Sequence, residues 1–179
     1  MRQDHRKIDR WMGRHDDDDP EWMVRHSIVL LRVSVGVVFL WFGALKFFGG
    51  LSPAEDLATR TISILTFGLI PSHVSIVMLA TWESLIGIGL ISGVMMRATL
   101  LLLFMQMAGT LTPLVFFPHE TFTRAPFAPT LEGQYIIKNI VLISAGVLLY
   151  ARLRARDRVR RVVPLRVVAE SDITSRLAA

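Results

Sequence analysis

Residues 27–48 read SIVLLRVSVGVVFLWFGALKFF. This run is almost entirely apolar, and as a helix rising about 1.5 Å per residue it is long enough to cross about 30 Å of hydrocarbon. It is too long for the apolar part of a signal peptide with a cleavage site. The run therefore predicts a first membrane-spanning helix.

Three more apolar segments follow, at residues 72–93, 97–117 and 133–151. Only residues 94–96 separate the first two of these, which predicts a helical hairpin. Because 52% of the 179 residues are hydrophobic, the chain carries more apolar surface than one soluble core could bury. We therefore predict an all-α membrane protein, a bundle of four transmembrane helices over residues 27–48, 72–93, 97–117 and 133–151.

The basic residues outside these spans predict the orientation of the chain. The polar N-terminal arm, residues 1–26, holds six of them and the C-terminal tail, residues 152–179, holds eight. The connection after the first helix contains only Arg60, and the connection after the third contains only Arg124. Cytoplasmic segments are enriched in Lys and Arg, so both termini are expected on the cytoplasmic side. The net charge of +5 is then a topology signal, and the expected partner is the lipid bilayer rather than nucleic acid.

The connection between the first two spans predicts an extracytoplasmic amphipathic helix at about residues 53–67. Ser52, Pro53 and Glu55 have the pattern of a helix start, and Asp56 and Arg60 are spaced to pair on its polar face. The segment 118–132 is rich in proline and phenylalanine. It either caps the bundle from outside or is a plain connector.

Polar side chains within the spans are the candidate ligand-binding residues, because ionisable groups in hydrocarbon need partners or water. They come from all four helices, so they can converge inside one bundle: Arg32, Lys46, Glu83, Gln106, Lys138 and Asn139. In a purely structural interpretation, Arg32 and Lys46 reach the two interfaces and Glu83 pairs with Lys138. In the functional interpretation, the excess of cations over the single acid favours an anionic or carbonyl-bearing ligand, such as a lipid headgroup, a quinone or an oxyanion.

Three aromatic residues, Trp41, Phe42 and Trp82, lie near these polar positions and are candidates to line the site and stack on a flat ring. Packing and interface anchoring are the alternative roles. The absence of cysteine excludes thiol chemistry by the chain itself. No nucleophile–base pair, phosphate loop or metal-ligand cluster is recognisable, so no catalytic or metal site is predicted.

Two further features concern helix packing. Small residues in the second span allow close approach of a neighbouring helix: Ala80, Ser84, Gly87, Gly89 and Gly93. Pro113 removes a backbone hydrogen bond near the outer end of the third span, which predicts a kink there.

Three motifs in order resemble the DoxX family of small four-helix bacterial membrane proteins. They are RVSVGVVFLWFGALKFFGG at residues 32–50, WESLIGIGLISG at 82–93 and EGQYIIKNIVLISAG at 132–146. The resemblance covers about residues 28–151. It implies a bacterial cytoplasmic (inner) membrane protein of a family named for subunits of a quinone-linked oxidase and a thiosulfate oxidoreductase.

The leading hypothesis is an accessory or anchor subunit of a membrane redox system, not an enzyme on its own, with an intramembrane polar site for a quinone-like or anionic ligand. It implies a quinone, not covalently bound, as the cofactor, and an oxidoreductase and anionic lipid as partners. Two alternatives stay open. One is a small-solute transporter or channel that uses Glu83, and the other is a structural membrane scaffold.

Overall fold

Four long helices dominate the chain. The computed structural model describes the backbone of residues 20–52 and 55–177 and the side-chain surroundings of residues 22–23, 26–52 and 55–158. In chain order the elements are α1 (Pro20–Leu45), α2 (Glu55–Leu65), α3 (Ser72–Ser92), α4 (Met96–Leu111), α5 (Pro113–Phe116), α6 (Pro118–Thr121), β1 (Phe122–Arg124), β2 (Ala128–Pro129) and α7 (Leu131–Leu177).

Four segments are long and apolar enough to cross a membrane: His26–Leu45, Ser72–Ser92, Met96–Phe116 and Leu131–Arg158. The predicted class, an all-α membrane protein with four transmembrane helices, is confirmed. The described parts of the first and third connections, residues 46–52 and 55–71 and residues 112–130, lie together at one end of the bundle, where Arg60 pairs with Glu120, and we call this the loop end. The turn between α3 and α4 lies at the opposite end, which we call the terminal end.

The first helix is shifted from its predicted bounds of 27–48. It begins earlier, at Pro20, where the fixed φ of proline suits a first helical turn, and most of the predicted polar arm, residues 1–19, lies outside the described residues. It ends at Leu45. Beyond it, the Lys46 N–H bonds the Gly43 oxygen at 3.2 Å and the Phe48 N–H bonds the Leu45 oxygen at 3.1 Å, which is the spacing of a tightened 3₁₀-like turn.

The fourth helix is much longer than the predicted span 133–151, because α7 runs from Leu131 to Leu177. Its start is fixed by Thr130, whose hydroxyl accepts the Gly133 N–H at 3.2 Å as an N-cap. The arginine-rich sequence after Ala151 ends the apolar span without ending the helix, since arginine, alanine and leucine are good helix formers. Near this end, Arg97 of α4 pairs with Asp157 at 2.7 Å.

The core is a thin apolar column to which all four spanning helices contribute. Its buried members are Val35, Phe39, Ile86, Leu90, Leu100, Leu103, Met107, Ala145 and Leu149. Most other apolar side chains of the spans point outward, including Leu30 and Val141, which are 68% and 70% exposed. An apolar outer surface of this extent fits hydrocarbon rather than water.

Helices α1 and α3 pack against each other more extensively than any other pair, and glycines make this contact possible. A Cβ atom on Gly87 would lie 2.7 Å from the Leu40 Cβ and 2.8 Å from the Gly36 oxygen. A Cβ atom on Gly43 would lie 2.9 Å from the Glu83 Cβ. Because neither position has a side chain, the two backbones approach closely and set the register between α1 and α3.

The small residues predicted to allow close packing therefore serve different neighbours. Gly87 faces α1, whereas Gly89 lies against Thr99 of α4. Gly93 caps the C-terminus of α3 with φ 72°, and its N–H bonds the Gly89 oxygen. A left-handed residue at this position is usually glycine because other residues pay a steric cost there.

The loop end is more ordered than the sequence indicates. Helix α2 packs against α3, and its Leu57, Thr59 and Thr61 are buried, so it is part of the bundle as well as amphipathic. Pro53 lies outside the described residues, while the Glu55 carboxylate accepts the Gly50 N–H at 3.1 Å. The segment 118–132, for which the sequence allows either a cap or a plain connector, forms α6, a small antiparallel hairpin of β1 and β2, and the start of α7.

Candidate functional site

Glu83 of α3 lies at the centre of a polar cluster inside the bundle. The Lys46 ammonium contacts its Oε2 atom at 2.7 Å, and the Gln106 side-chain amide donates to its Oε1 atom at 3.0 Å. The side chains of Lys46 and Glu83 are only 11% and 12% exposed. We call Lys46, Glu83 and Gln106 the triad.

The helix packing described above places these three groups together. Gly43 brings α1 against the backbone of α3 at Glu83 and Ser84, and Lys46 follows about one turn later at the end of α1. The Lys46 ammonium also donates to the Phe42 oxygen at 3.3 Å, which holds it beside the helix end. Gln106 reaches the same carboxylate from α4, so α3, α4 and the turn directly after α1 contribute one group each.

The triad lies on the wall of a cavity of about 320 Å³ at the loop end. Apart from the triad, Thr61 and Thr110, its lining is apolar, and it comes from α2, α3, α4, α5 and α7. The remaining lining residues are Leu57, Ala58, Ile62, Leu65, Met78, Leu79, Trp82, Met105, Gly109, Pro113 and Ile136. This size is at the lower end of small-molecule sites, and a mainly apolar wall with a few polar groups is typical of them.

Helix α2 covers the cavity and is attached through Arg60. The Arg60 guanidinium contacts both carboxylate oxygens of Glu120, with Nη1–Oε1 at 2.8 Å, and lies 2.9 Å from Asp56. It also lies over the Phe117 ring, 5.0 Å from the centroid. The predicted pairing of Asp56 with Arg60 is thus present. We call Arg60, Asp56, Glu120 and Phe117 the Arg60 cluster; it connects α2 to α6.

The Arg60 cluster shifts the ionisation of its members. Hydrogen bonds from Arg60 lower the pKa of Glu120 below its ordinary value of 4.5, and the hydrogen bond to Glu120 raises the pKa of Arg60. Because the pKa of Glu120 is lower in the folded state than in the unfolded state, the pair stabilises the fold above about pH 4.5. That contribution is lost as the pH falls through the lower, folded-state pKa.

Replacing Glu120 with glutamine is therefore expected to lower the melting temperature slightly at neutral pH and to have no effect in strong acid. Melting curves of purified wild-type protein and E120Q between pH 7 and pH 3 provide the measurement. The matched control is E132Q, because Glu132 is an exposed carboxylate at the same end that has no ion pair among the described side chains. A difference between wild type and E120Q that stays constant across the range would contradict the prediction.

The other candidate residues do not join the triad. Arg32 is at the terminal end, where its guanidinium lies against Gly93 at the C-terminus of α3. Lys138 is exposed and lies over the Tyr135 ring of its own helix, 5.4 Å from the centroid, and Asn139 beside it is half-buried. Glu83 therefore pairs with Lys46 and not with Lys138, and the three cations are not gathered in one place.

Of the three aromatic candidates, only Trp82 lines the cavity, and its indole N–H donates to the Leu102 oxygen at 3.1 Å. Trp41 and Phe42 are 66% and 51% exposed on the outer surface of α1. Their positions correct the expectation that all three lie beside the polar groups. In a bundle surrounded by lipid, outward-facing aromatic residues are as favourable as inward-facing ones, so the sequence alone does not distinguish them.

Several lining residues were not candidates at the sequence level, notably Met78, Met105, Gly109 and Thr110. Met105 and Gly109 lie within one turn of Gln106 on α4. Gln106 is a polar residue inside an apolar span, and this is the sequence signal that could have indicated that its neighbours line a site. No comparable signal marks Glu120, whose partner Arg60 is 60 residues away in the sequence.

The site can hold a small molecule that is mostly apolar and carries a hydrogen-bond acceptor. Lys46 and Glu83 balance each other in charge, so the wall carries no net charge from the triad. Among the described residues, no group of three His, Cys, Asp or Glu side chains is placed to hold a metal ion. Fully buried Ile86, Leu90, Leu100 and Leu103 fill the core of the bundle.

Comparison with known proteins agrees with this architecture. The DoxX family model matches residues 27–119, which is more than half of the 179-residue chain and runs from within α1 into α6. No curated protein and no solved structure matches the chain. The apolar helices, the motifs on α1 and α3 and the extent of this match establish that the chain belongs to the DoxX family.

Proposed function

We propose that this protein is a non-catalytic membrane component of a redox system, and that its cavity holds a neutral, quinone-like molecule beside the triad. The observation that carries the proposal is the cavity itself, an apolar space of about 320 Å³ with Lys46, Glu83 and Gln106 on one wall. The redox context comes from the DoxX family, whose name derives from quinone-linked enzymes, and it is part of the proposal.

The charge balance of the triad favours a carbonyl-bearing ligand over an anion. The described contacts of the Lys46 ammonium use two of its three N–H donors, to Glu83 and to the Phe42 oxygen. One donor is left to meet a carbonyl oxygen. An anion in the cavity would be repelled by the Glu83 carboxylate. The cation beside it, Lys46, is already paired with that carboxylate, so the binding of an anion is electrostatically unfavourable. The hydroxyls of Thr61 and Thr110, which also line the cavity, already donate to the Leu57 and Gln106 backbone oxygens, so they do not compete with Lys46 for a carbonyl oxygen.

Transport receives less support from this geometry. A path for a solute would have to continue from the triad toward the terminal end. Among the described residues, the bundle core in that direction contains Ile86, Leu90, Leu100 and Leu103, which are 0 to 1% exposed. We therefore retain the binding role as the proposed function.

We also propose the bacterial inner membrane as the location and the cytoplasm as the side of both termini, which a topology reporter fused after Ala179 tests.

Filling the cavity should prevent binding. Gly109 lines it, and a Cβ atom there would have no heavy atom within 4 Å, so a leucine side chain can extend into the space without forcing the helices apart. We expect G109L to bind a short-chain ubiquinone analogue about tenfold more weakly than wild type, equivalent to roughly 1.4 kcal/mol. Titration of purified protein with the analogue, followed by tryptophan fluorescence quenching, measures the affinity.

Two controls separate the cavity from general partitioning of the quinone into detergent or lipid. G49L makes the same substitution at a glycine that also has free space and does not line the cavity. In addition, a ligand in the cavity should quench Trp82, so the saturable quenching should disappear in W82F and persist in W41F, because Trp41 is on the outer surface. Quenching that is unsaturable, or equal in G109L and wild type, would refute the proposed site.

A further inference from the structure

We propose that the outer face of α7 carries a second binding site, for the phosphate group of an anionic phospholipid, formed by Gln134, Tyr135 and Lys138. Lys138 lies four residues after Gln134 and three after Tyr135, so both side chains neighbour it on the helix surface. All three are exposed, and the Lys138 ammonium lies 5.4 Å from the centroid of the Tyr135 ring. This site is separate from the cavity, whose lining includes none of them.

The position of Lys138 along the helix makes an isolated charge unfavourable there. Lys138 lies about two turns after Leu131, roughly 10 Å into the spanning segment Leu131–Arg158. Its side chain has no ion pair with any carboxylate among the described residues. A lysine at such a depth extends its ammonium toward the nearer headgroup layer, which for Lys138 is the layer at the loop end.

The chemistry of the face fits a phosphate. The ammonium, the phenol hydroxyl and the side-chain amide supply hydrogen-bond donors from three neighbouring residues, and a phosphodiester offers only acceptors and a negative charge. Farther along the same side of α7, Val141 and Leu148 are 70% and 49% exposed. They provide an apolar surface for an acyl chain directly below the headgroup site. This arrangement of donors above apolar contacts is that of a phospholipid, so we commit to a lipid rather than a protein partner.

The test uses full-length protein in phosphatidylcholine nanodiscs that contain increasing fractions of phosphatidylglycerol. We expect phosphatidylglycerol to raise the melting temperature of the wild type. The fraction of phosphatidylglycerol that gives half of the maximal increase should be about fivefold higher for K138Q than for the wild type. K138R should behave like the wild type, and Y135F should be intermediate because one donor is removed. In pure phosphatidylcholine, K138Q should have the same melting temperature as the wild type, since Lys138 is exposed.

The control for a simple loss of charge is R154Q. Arg154 also lies over a tyrosine of α7, 5.5 Å from the Tyr150 centroid, but toward the terminal end and among other arginines. R154Q should therefore keep most of the phosphatidylglycerol response. An equal loss in R154Q and K138Q, or a K138Q response identical to wild type, would overturn the proposal. So would full stabilisation by inorganic phosphate in pure phosphatidylcholine nanodiscs, because the ligand would then be a free anion.

Discussion

Replacing Gly87 with alanine is expected to lower the free energy of unfolding by roughly 1–3 kcal/mol. The added methyl group would lie 2.7 Å from the Leu40 Cβ and 2.8 Å from the Gly36 oxygen, both on α1. These atoms belong to a helix backbone or are directly attached to it, so they cannot rotate away as a flexible side chain would. The two helices would have to separate, and the extensive contact between α1 and α3 would loosen.

The measurement is equilibrium unfolding of purified wild type and G87A in mixed micelles with increasing denaturing detergent. G109A is the matched control, because it makes the same substitution in the last turn of a spanning helix, where the new methyl group meets nothing within 4 Å. We expect G109A to be as stable as the wild type or slightly more stable, since alanine favours helix over glycine. Equal stability of G87A and G109A would show that the α1–α3 contact is less closely packed than described.

The same contact determines the site. A loosened α1–α3 interface would move Lys46, which lies about one turn after Gly43, away from the Glu83 carboxylate on α3. G87A should therefore also bind the quinone analogue more weakly than the wild type does. Packing at Gly87, which does not line the cavity, and the polar contacts of the triad therefore both depend on the position of α1.

The four spans could be predicted from the sequence because membrane thickness sets the length of an apolar helix directly. The triad could be predicted in part for a related reason. A charged or amide side chain in hydrocarbon is costly, so Lys46, Glu83 and Gln106 stand out in their spans wherever they point. Which of them touch depends on the register between α1, α3 and α4, and that register follows from packing at Gly43 and Gly87.

The direction of each side chain could not be predicted, because lipid and the bundle interior are both apolar. In a soluble protein, the periodic alternation of apolar and polar residues along a helix separates its inner face from its outer face. In the spanning helices of this protein both faces are apolar, so that alternation is nearly absent. Trp41 and Lys138 therefore resemble Trp82 and Lys46 in the sequence but lie on the outer surface. Helix α7 is longer than its predicted span for a different reason. The charged residues after Ala151 end the membrane span, but they do not end the helix.

The separation of the cations changes the chemistry expected of the cavity. With Arg32 at the C-terminus of α3 and Lys138 on the outer surface, only Lys46 remains beside the carboxylate of Glu83. An excess of positive charge favours an anion, whereas a balanced pair favours a neutral ligand that meets spare donors. Both ligand classes were open from the sequence, and the geometry favours the carbonyl-bearing class over the anionic one.

The second large effect is expected at the ion pair itself. Replacing Glu83 with glutamine leaves the Lys46 ammonium without a counter-charge at a position that is only 11% exposed, and K46M leaves the carboxylate in the same condition. Each single substitution is expected to destabilise the protein by roughly 3–5 kcal/mol, because it leaves an uncompensated buried charge. The measurement is the same detergent unfolding experiment used for Gly87.

The double variant K46M/E83Q distinguishes pairing from simple loss of contacts. With both charges removed, the amide oxygen introduced by E83Q can still accept the Gln106 amide, and the double variant should therefore be more stable than either single one. A matched cycle on Arg97 and Asp157, whose side chains are 71% and 30% exposed, should show a much smaller coupling, since water screens that pair. Additive losses from K46M and E83Q would mean that the two charges act independently, and the charge balance that favours a neutral ligand would then have no basis.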